Sequence, residues 1–203
     1  MRPTIVYLHG FRSSPASAKA RQLSAAVAAL PDATRPNLHV PALDHRPARA
    51  MATIIGLAAD VDRRALTCIG SSLGGYYATY AADRLDARAV LVNPTVHPYD
   101  DLASHRGVQA NLHTGETFEV TERHFDELRA LGVAKITKPE RYWLLAQSGD
   151  EVLDYRAAVA FYAGAWQYLR GGGNHAFVDF EGQIPAILRF CGVGAEAGFV
   201  HRA

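Results

Sequence analysis

Cysteine is nearly absent. The 203-residue chain carries only Cys68 and Cys191, each inside an apolar segment. Neither belongs to a C-x-x-C pair, which argues against a structural zinc site, and both read as buried thiols in a reducing compartment. Excess charge is missing too: 21 Lys and Arg face 20 Asp and Glu, for a net charge of +1. No Lys/Arg run supplies a local basic field, so nucleic acid is not an expected partner. No apolar run approaches the roughly 20 residues that cross a bilayer. The opening stretch MRPTIVYLHGF has too short an apolar run for a secretory signal and lacks a small-residue cleavage site. The expectation from these absences is a cytoplasmic protein without a membrane span.

Disorder is excluded as well. Apolar residues make up 49% and charged residues 20% of the chain, an ordinary globular balance. The length suits a single domain, 1–203, with a full core. No internal repeat and no low-complexity tract interrupts it.

What the chain does have is rhythm. Strand-like runs at Thr4–Leu8, Leu38–Val40, Leu66–Ile69, Ala89–Val92, Tyr142–Ala146 and Gln167–Leu169 alternate with segments of helical apolar spacing. Ser14-Pro15 reads as an N-cap serine with proline at the first helical position. Helices are further expected from Pro47, from Leu73, near Tyr155 and near Ile184. Several strands are apolar without alternation, as strands covered on both faces should be. Strands separated by helices imply a mostly parallel, doubly wound α/β sheet of about six strands. The stretch 97–139 breaks the pattern with a short strand at Thr117–Val120 and a helix near Thr121–Leu131. It reads as a small cap insertion over the strand ends, the alternative being a surface excursion away from any site.

Function in such sheets collects at the carboxyl ends of the strands, and His9, Ser72, Asp150 and His175 all fall just after strands. Gly70-Ser71-Ser72-Leu73-Gly74 matches G-x-S-x-G, a strand-to-helix corner that holds a serine in a strained conformation with its hydroxyl exposed. A side chain at Gly70 or Gly74 would clash there. The pattern alone is weak, because a glycine-rich turn or a phosphate-binding loop could also produce it. The lysine of the phosphate motif is missing, and the strand-turn-helix context favours the nucleophile.

A serine needs a base, and histidine titrates near working pH. Of nine histidines, His175 stands in a glycine-rich loop after the last strand, which lets the imidazole reach back over the sheet edge. His9 is expected to brace its own loop, and His39, His45, His97, His105, His113, His124 and His201 to be surface or structural. The acid that orients the base is expected to be Asp150, after the fifth strand; Asp100, Asp101 and Glu151 are its rivals. Oxyanion donors are expected from the Leu73 amide and from the Phe11 amide, with Gly10 permitting close approach of substrate. The Phe11 ring either walls an acyl pocket or belongs to the core. Leu112, Phe118, Phe125 and Leu128 either line that pocket or form the core of the cap.

The segments LHGFRSSPASAKA, GSSLGGYYATYAA, VNPTVHPYDDL, TGETFEVTERH, SGDEVLDYRAAVAFY and GGGNHAFVDFE together closely resemble the small YqiA-like esterases of bacteria, within the α/β-hydrolase superfamily. The likeness spans nearly the whole chain up to about Gly192. It implies an α/β-hydrolase fold acting on carboxylic esters, with some activity on acyl thioesters, through Ser72, Asp150 and His175. Asn174 departs from the family pattern, where aspartate often precedes the base. The implied substrate is a small acyl ester or thioester, with no metal and no organic cofactor. The alternative is a non-catalytic ligand-binding protein on the same scaffold.

Overall fold

The computed structural model describes residues 1–194. The chain runs β1 (Thr4–Leu8), α1 (Ala18–Ala28), β2 (Asn37–His39), α2 (Pro47–Ala58), β3 (Leu66–Ser71), α3 (Leu73–Leu85), β4 (Arg88–Val92), α4 (Pro98–Asp101), β5 (Gly107–Ala110), β6 (Thr117–Val120), α5 (Glu122–Ala130), β7 (Tyr142–Gln147), α6 (Tyr155–Phe161), β8 (Trp166–Arg170) and α7 (Phe180–Phe190). Six strands form the main sheet in the order β2-β1-β3-β4-β7-β8. Every pairing in it is parallel.

The unbroken apolar character of these strands follows from cover on both faces. In β1, Val6 and Leu8 point into a layer with α2 and α3 residues such as Ile54 and Tyr77. Ile5 and Tyr7 point the other way, against Leu23 of α1 and Ile187 of α7. Side chains that alternate between two cores leave no solvent-facing position on the strand. Each fully buried Leu or Ile contributes roughly 1.5–3 kcal/mol. Cys68 and Cys191 are both free and buried, and burial pushes each thiol up to about 12.

The first helix begins later than its sequence suggests. Ser14 Oγ accepts from the Ala16 amide at 3.1 Å, and the Ser14 carbonyl accepts from the Ser17 amide at 3.1 Å. These bonds close a separate turn, and Ser17 becomes the residue that precedes α1. Proline at position 15 fits the turn as well as it fits a helix start, which is why the sequence signal points too early.

Between β4 and β7 the chain leaves the sheet. β5 and β6 pair antiparallel as a separate two-stranded hairpin, with Gly107 opposite Val120 and Ala110 opposite Thr117. α5 follows, begun by a capping box in which Thr121 and His124 satisfy each other's backbone amides. Its buried face, Phe125 and Leu128, packs towards α2. The half-buried Arg46 and Glu127 side chains make a two-pronged ion pair there, with Arg46 Nε 3.0 Å from Glu127 Oε2. No helix among the described residues is long and apolar enough to cross a membrane.

Candidate active site

Ser72 lies between β3 and α3 with φ 55° and ψ −122°, a conformation that costs a non-glycine residue about 1–3 kcal/mol. The surroundings enforce it. Its amide donates to Val92 O at 3.1 Å, and its carbonyl accepts from the Gly75 and Thr95 amides at 2.9 and 3.3 Å. A β-carbon on Gly70 would collide with the Gly74 carbonyl, and one on Gly74 would collide with the Leu8 carbonyl. The corner therefore closes only with glycine at both positions. Gly10 sits on the other side of the serine, where a β-carbon would lie 3.1 Å from Ser72 Cβ and 3.6 Å from its Oγ.

His175 and Asp150 come from the loops after β8 and β7. His175 Nδ1 lies 3.0 Å from Asp150 Oδ1 and 2.9 Å from Oδ2. The carboxylate side chain is only 2% exposed and the imidazole 23%. Asp150 Oδ1 also accepts from the Val152 and Leu153 amides, both at 2.9 Å. Burial pushes the Asp150 carboxyl up, but the bond from His175 and the bonds from those amides outweigh it and hold it below the ordinary carboxylate range. An ionised carboxylate only accepts, so Nδ1 of His175 carries a proton, which makes Nε2 the acceptor in the neutral ring. Glu151 is engaged otherwise: its Oε2 accepts from the His175 amide at 3.0 Å. Asp101 binds the Thr95 hydroxyl. Among the described residues no hydrogen bond joins Ser72 Oγ to His175.

The Phe11 and Leu73 amides have no hydrogen-bond acceptor among the described residues. Leu73 is the first residue of α3, where the helix dipole adds positive potential. The Phe11 ring packs edge-on against Phe118 and His105, with centroids 5.9 and 5.4 Å away. His9 braces its loop: Nε2 accepts from the Leu43 amide at 3.1 Å, so Nδ1 donates to Gly10 O at 3.0 Å. Burial above all holds its pKa down. His124 is buried and bonds His45 at 2.9 Å, and His201 lies outside the described residues. Leu128 and Phe125 are fully buried, whereas Leu112 is 70% exposed.

Three residues that tie this site together escape a reading by motif. Asn93, just past β4, donates from Nδ2 to the carbonyls of Asn174 and His175 at 2.9 and 3.1 Å, and its Oδ1 accepts from the Gln147 amide at 3.0 Å. Gln147 Oε1 accepts from the Asn174 and Val178 amides at 3.1 and 2.9 Å. Lys19 Nζ donates to Ala176 O at 2.8 Å. Asn93 and Gln147 carry the same sequence signal as Ser72 and Asp150, a polar side chain at the end of a strand.

An all-parallel sheet with a strained serine between its third strand and the next helix is the α/β-hydrolase fold, and solved structures superpose on it across the chain. A protein from Agrobacterium vitis S4 does so with a TM-score of 0.70 at 17% identity, over 94% of this chain and 88% of its own. Alpha/beta hydrolase domain-containing protein 10 from mouse gives 0.66 at 15% identity, over 92% and 88%. Est1E from Butyrivibrio proteoclasticus, solved with ferulic acid bound, gives 0.64 at 15% identity, over 93% and 87%. By sequence the chain belongs to the uncharacterised protein family UPF0227, which matches residues 4–192 and is the YqiA-like family.

Proposed function

We propose that the protein is a serine hydrolase that cleaves carboxylic acyl esters, and acyl thioesters as a second substrate class. The observation that carries the reading is the Asp150–His175 pair on the same sheet edge as a serine held at φ 55°. Ser72 Oγ attacks the substrate carbonyl while His175 Nε2 takes its proton. Asp150 keeps the imidazole in the required tautomer and offsets the charge that forms on it. The carbonyl π electrons move to oxygen, and the free amides of Phe11 and Leu73 hold that oxyanion. His175 then returns its proton to the leaving alcohol or thiol. Water repeats the sequence and releases the acid. No step calls for a metal or an organic cofactor. Est1E, solved with a carboxylic acid, ferulic acid, bound, fits this chemistry.

The test is hydrolysis of p-nitrophenyl butyrate by wild type and Ser72→Ala. The variant should lose at least about a thousandfold in kcat with its circular dichroism and melting temperature unchanged. A Ser72→Ala protein with wild-type turnover overturns the reading. Comparing kcat/KM for a butyryl ester and a long-chain acyl-CoA assigns the preference between ester and thioester.

A further inference from the structure

The loop that carries the Phe11 amide is braced by His9 at Gly10, and its next two residues are held from outside. It follows the last residue of β1, and Arg12 within it stands at φ 56°, in the left-handed region that a non-glycine residue avoids. The carbonyls of Arg12 and Ser13 find their donors in the hairpin. Arg12 O accepts from the Leu112 amide at 2.8 Å. Ser13 O accepts from Asn111 Nδ2 at 2.8 Å. Arg12 Nε reaches the other way and donates to Ala110 O at 2.9 Å. These bonds bridge about a hundred residues of sequence and join one short stretch, Arg12–Ser13, to another, Ala110–Leu112.

Asn111 sits at the centre of this junction. Its Oδ1 accepts from the His113 and Thr114 amides at 2.9 and 3.1 Å, and its own amide donates to Glu116 O at 2.8 Å. One face of the side chain folds the hairpin turn while the other holds the loop. The hairpin is itself anchored. Phe118 stacks on His45 with centroids 4.8 Å apart and meets the Phe11 ring edge-on. The α5 helix that follows is tied to Arg46 through Glu127.

We propose that the Gly107–Val120 hairpin is a clamp that positions the Phe11 amide for the oxyanion, with Asn111 as its positioning residue. The inference rests on the serine-hydrolase reading and adds to it a role for the insertion. The insertion orders the catalytic loop through backbone carbonyls, which needs no contact with substrate. Positioning matters because an oxyanion donor works only when it already points at the developing charge.

Asn111→Asp isolates the clamp. The carboxylate keeps an oxygen for the His113 and Thr114 amides, so the turn survives. The donor to Ser13 O is lost and an anionic oxygen faces that carbonyl. Two readouts are needed, both normalised to the sites titrated by a fluorophosphonate. One is kcat and KM for p-nitrophenyl butyrate. The other is the inhibition constant of a butyryl trifluoromethyl ketone. Ser72 Oγ adds to the ketone carbon, its proton passes to His175, and the carbonyl π pair becomes an oxyanion in the same hole.

The expected result is a fall in kcat of about ten- to a hundredfold, less than the 10²–10³ for deleting a donor outright. KM should stay within about twofold, and the ketone should weaken by the same factor as kcat. A purely structural role would lower the number of titratable sites and leave both constants per site at wild-type values, which overturns the proposal. Arg12→Ala, which removes the bond to Ala110 O, gives the same test should Asn111→Asp fail to fold. If the wild type hydrolyses the ester and binds the ketone while a folded clamp variant matches it, the clamp alone is refuted. A wild type that does neither overturns the clamp and the hydrolase reading together.

Discussion

Asp150 holds His175 by Nδ1, at 2.9 Å from Oδ2 and 3.0 Å from Oδ1, with the carboxylate sealed from solvent and fixed by the amides of Val152 and Leu153. A carboxylate bound from both sides in this way has one orientation, and it passes that orientation to the ring.

Asp150→Asn should therefore leave the fold in place and remove the activity. The amide oxygen can still accept from Val152 and Leu153, but its NH₂ group then faces Nδ1 and favours the tautomer with the proton on Nε2. That tautomer cannot take a proton from Ser72. The expected loss is about 10⁴ in kcat, measured on p-nitrophenyl butyrate, with the urea midpoint nearly unchanged.

Asn93 links the Ser72 side of the edge to the His175 loop. Its side chain binds the carbonyls of residues 174 and 175, while Val92, next to it, accepts from the Ser72 amide. Asn93→Asp keeps the acceptor for Gln147 and turns the donor into an anionic oxygen against two carbonyls. Stability should fall by about 1–3 kcal/mol, the range for an unsatisfied buried group. Turnover per folded molecule should fall as well, because the His175 loop loses its tie. Urea titration and kcat measured on the same preparation check both effects.

Lys19 gives a pH dependence with a defined sign. Burial lowers its pKa to about 8, against the opposing pull of Asp150. The unfolded chain keeps a lysine near about 10.4. Between those values the unfolded state binds more protons than the folded one, so stability gains a rising contribution from Lys19 as pH climbs from about 8 to about 10.4. Below about 8 that contribution is flat. Lys19→Met should remove the rise, which urea titrations at pH 7, 8, 9 and 10 would show as a shallower slope than in wild type.

The fold was readable in the sequence because its strands are covered on both faces. Thr4–Leu8, as the first strand, has the limits seen in the structure, and the β3-to-α3 corner stands where Gly70 and Gly74 put it. Such runs admit one interpretation, since an apolar stretch bounded by glycine has nowhere to go except the core. α1 starts later than Ser14-Pro15 suggests, because Ser-Pro serves a turn as readily as a helix. β5 was invisible. Gly107-Val108-Gln109-Ala110 has neither length nor alternation, and Val108 remains 75% exposed, so the strand exists through its pairing with β6 and not through its own pattern.

The same division holds at the site. Ser72, Asp150 and His175, the proposed triad, stand out by their residue type and their place after strands. Asn93, Gln147, Lys19 and Asn111 act through backbone carbonyls and amides of distant loops. A hydrogen bond to a carbonyl leaves no trace in the partner's identity, because every residue has one, so these contacts become visible only when the loops are placed in space.

The central claim is that Ser72 is an activated nucleophile, and covalent labelling reads that directly. Wild-type protein treated with a fluorophosphonate should gain one phosphonyl group, located on Ser72 by mass spectrometry of the peptide, and His175→Ala should gain it far more slowly. A native protein that stays unlabelled, or that carries the adduct on another residue with Ser72 free, contradicts the account.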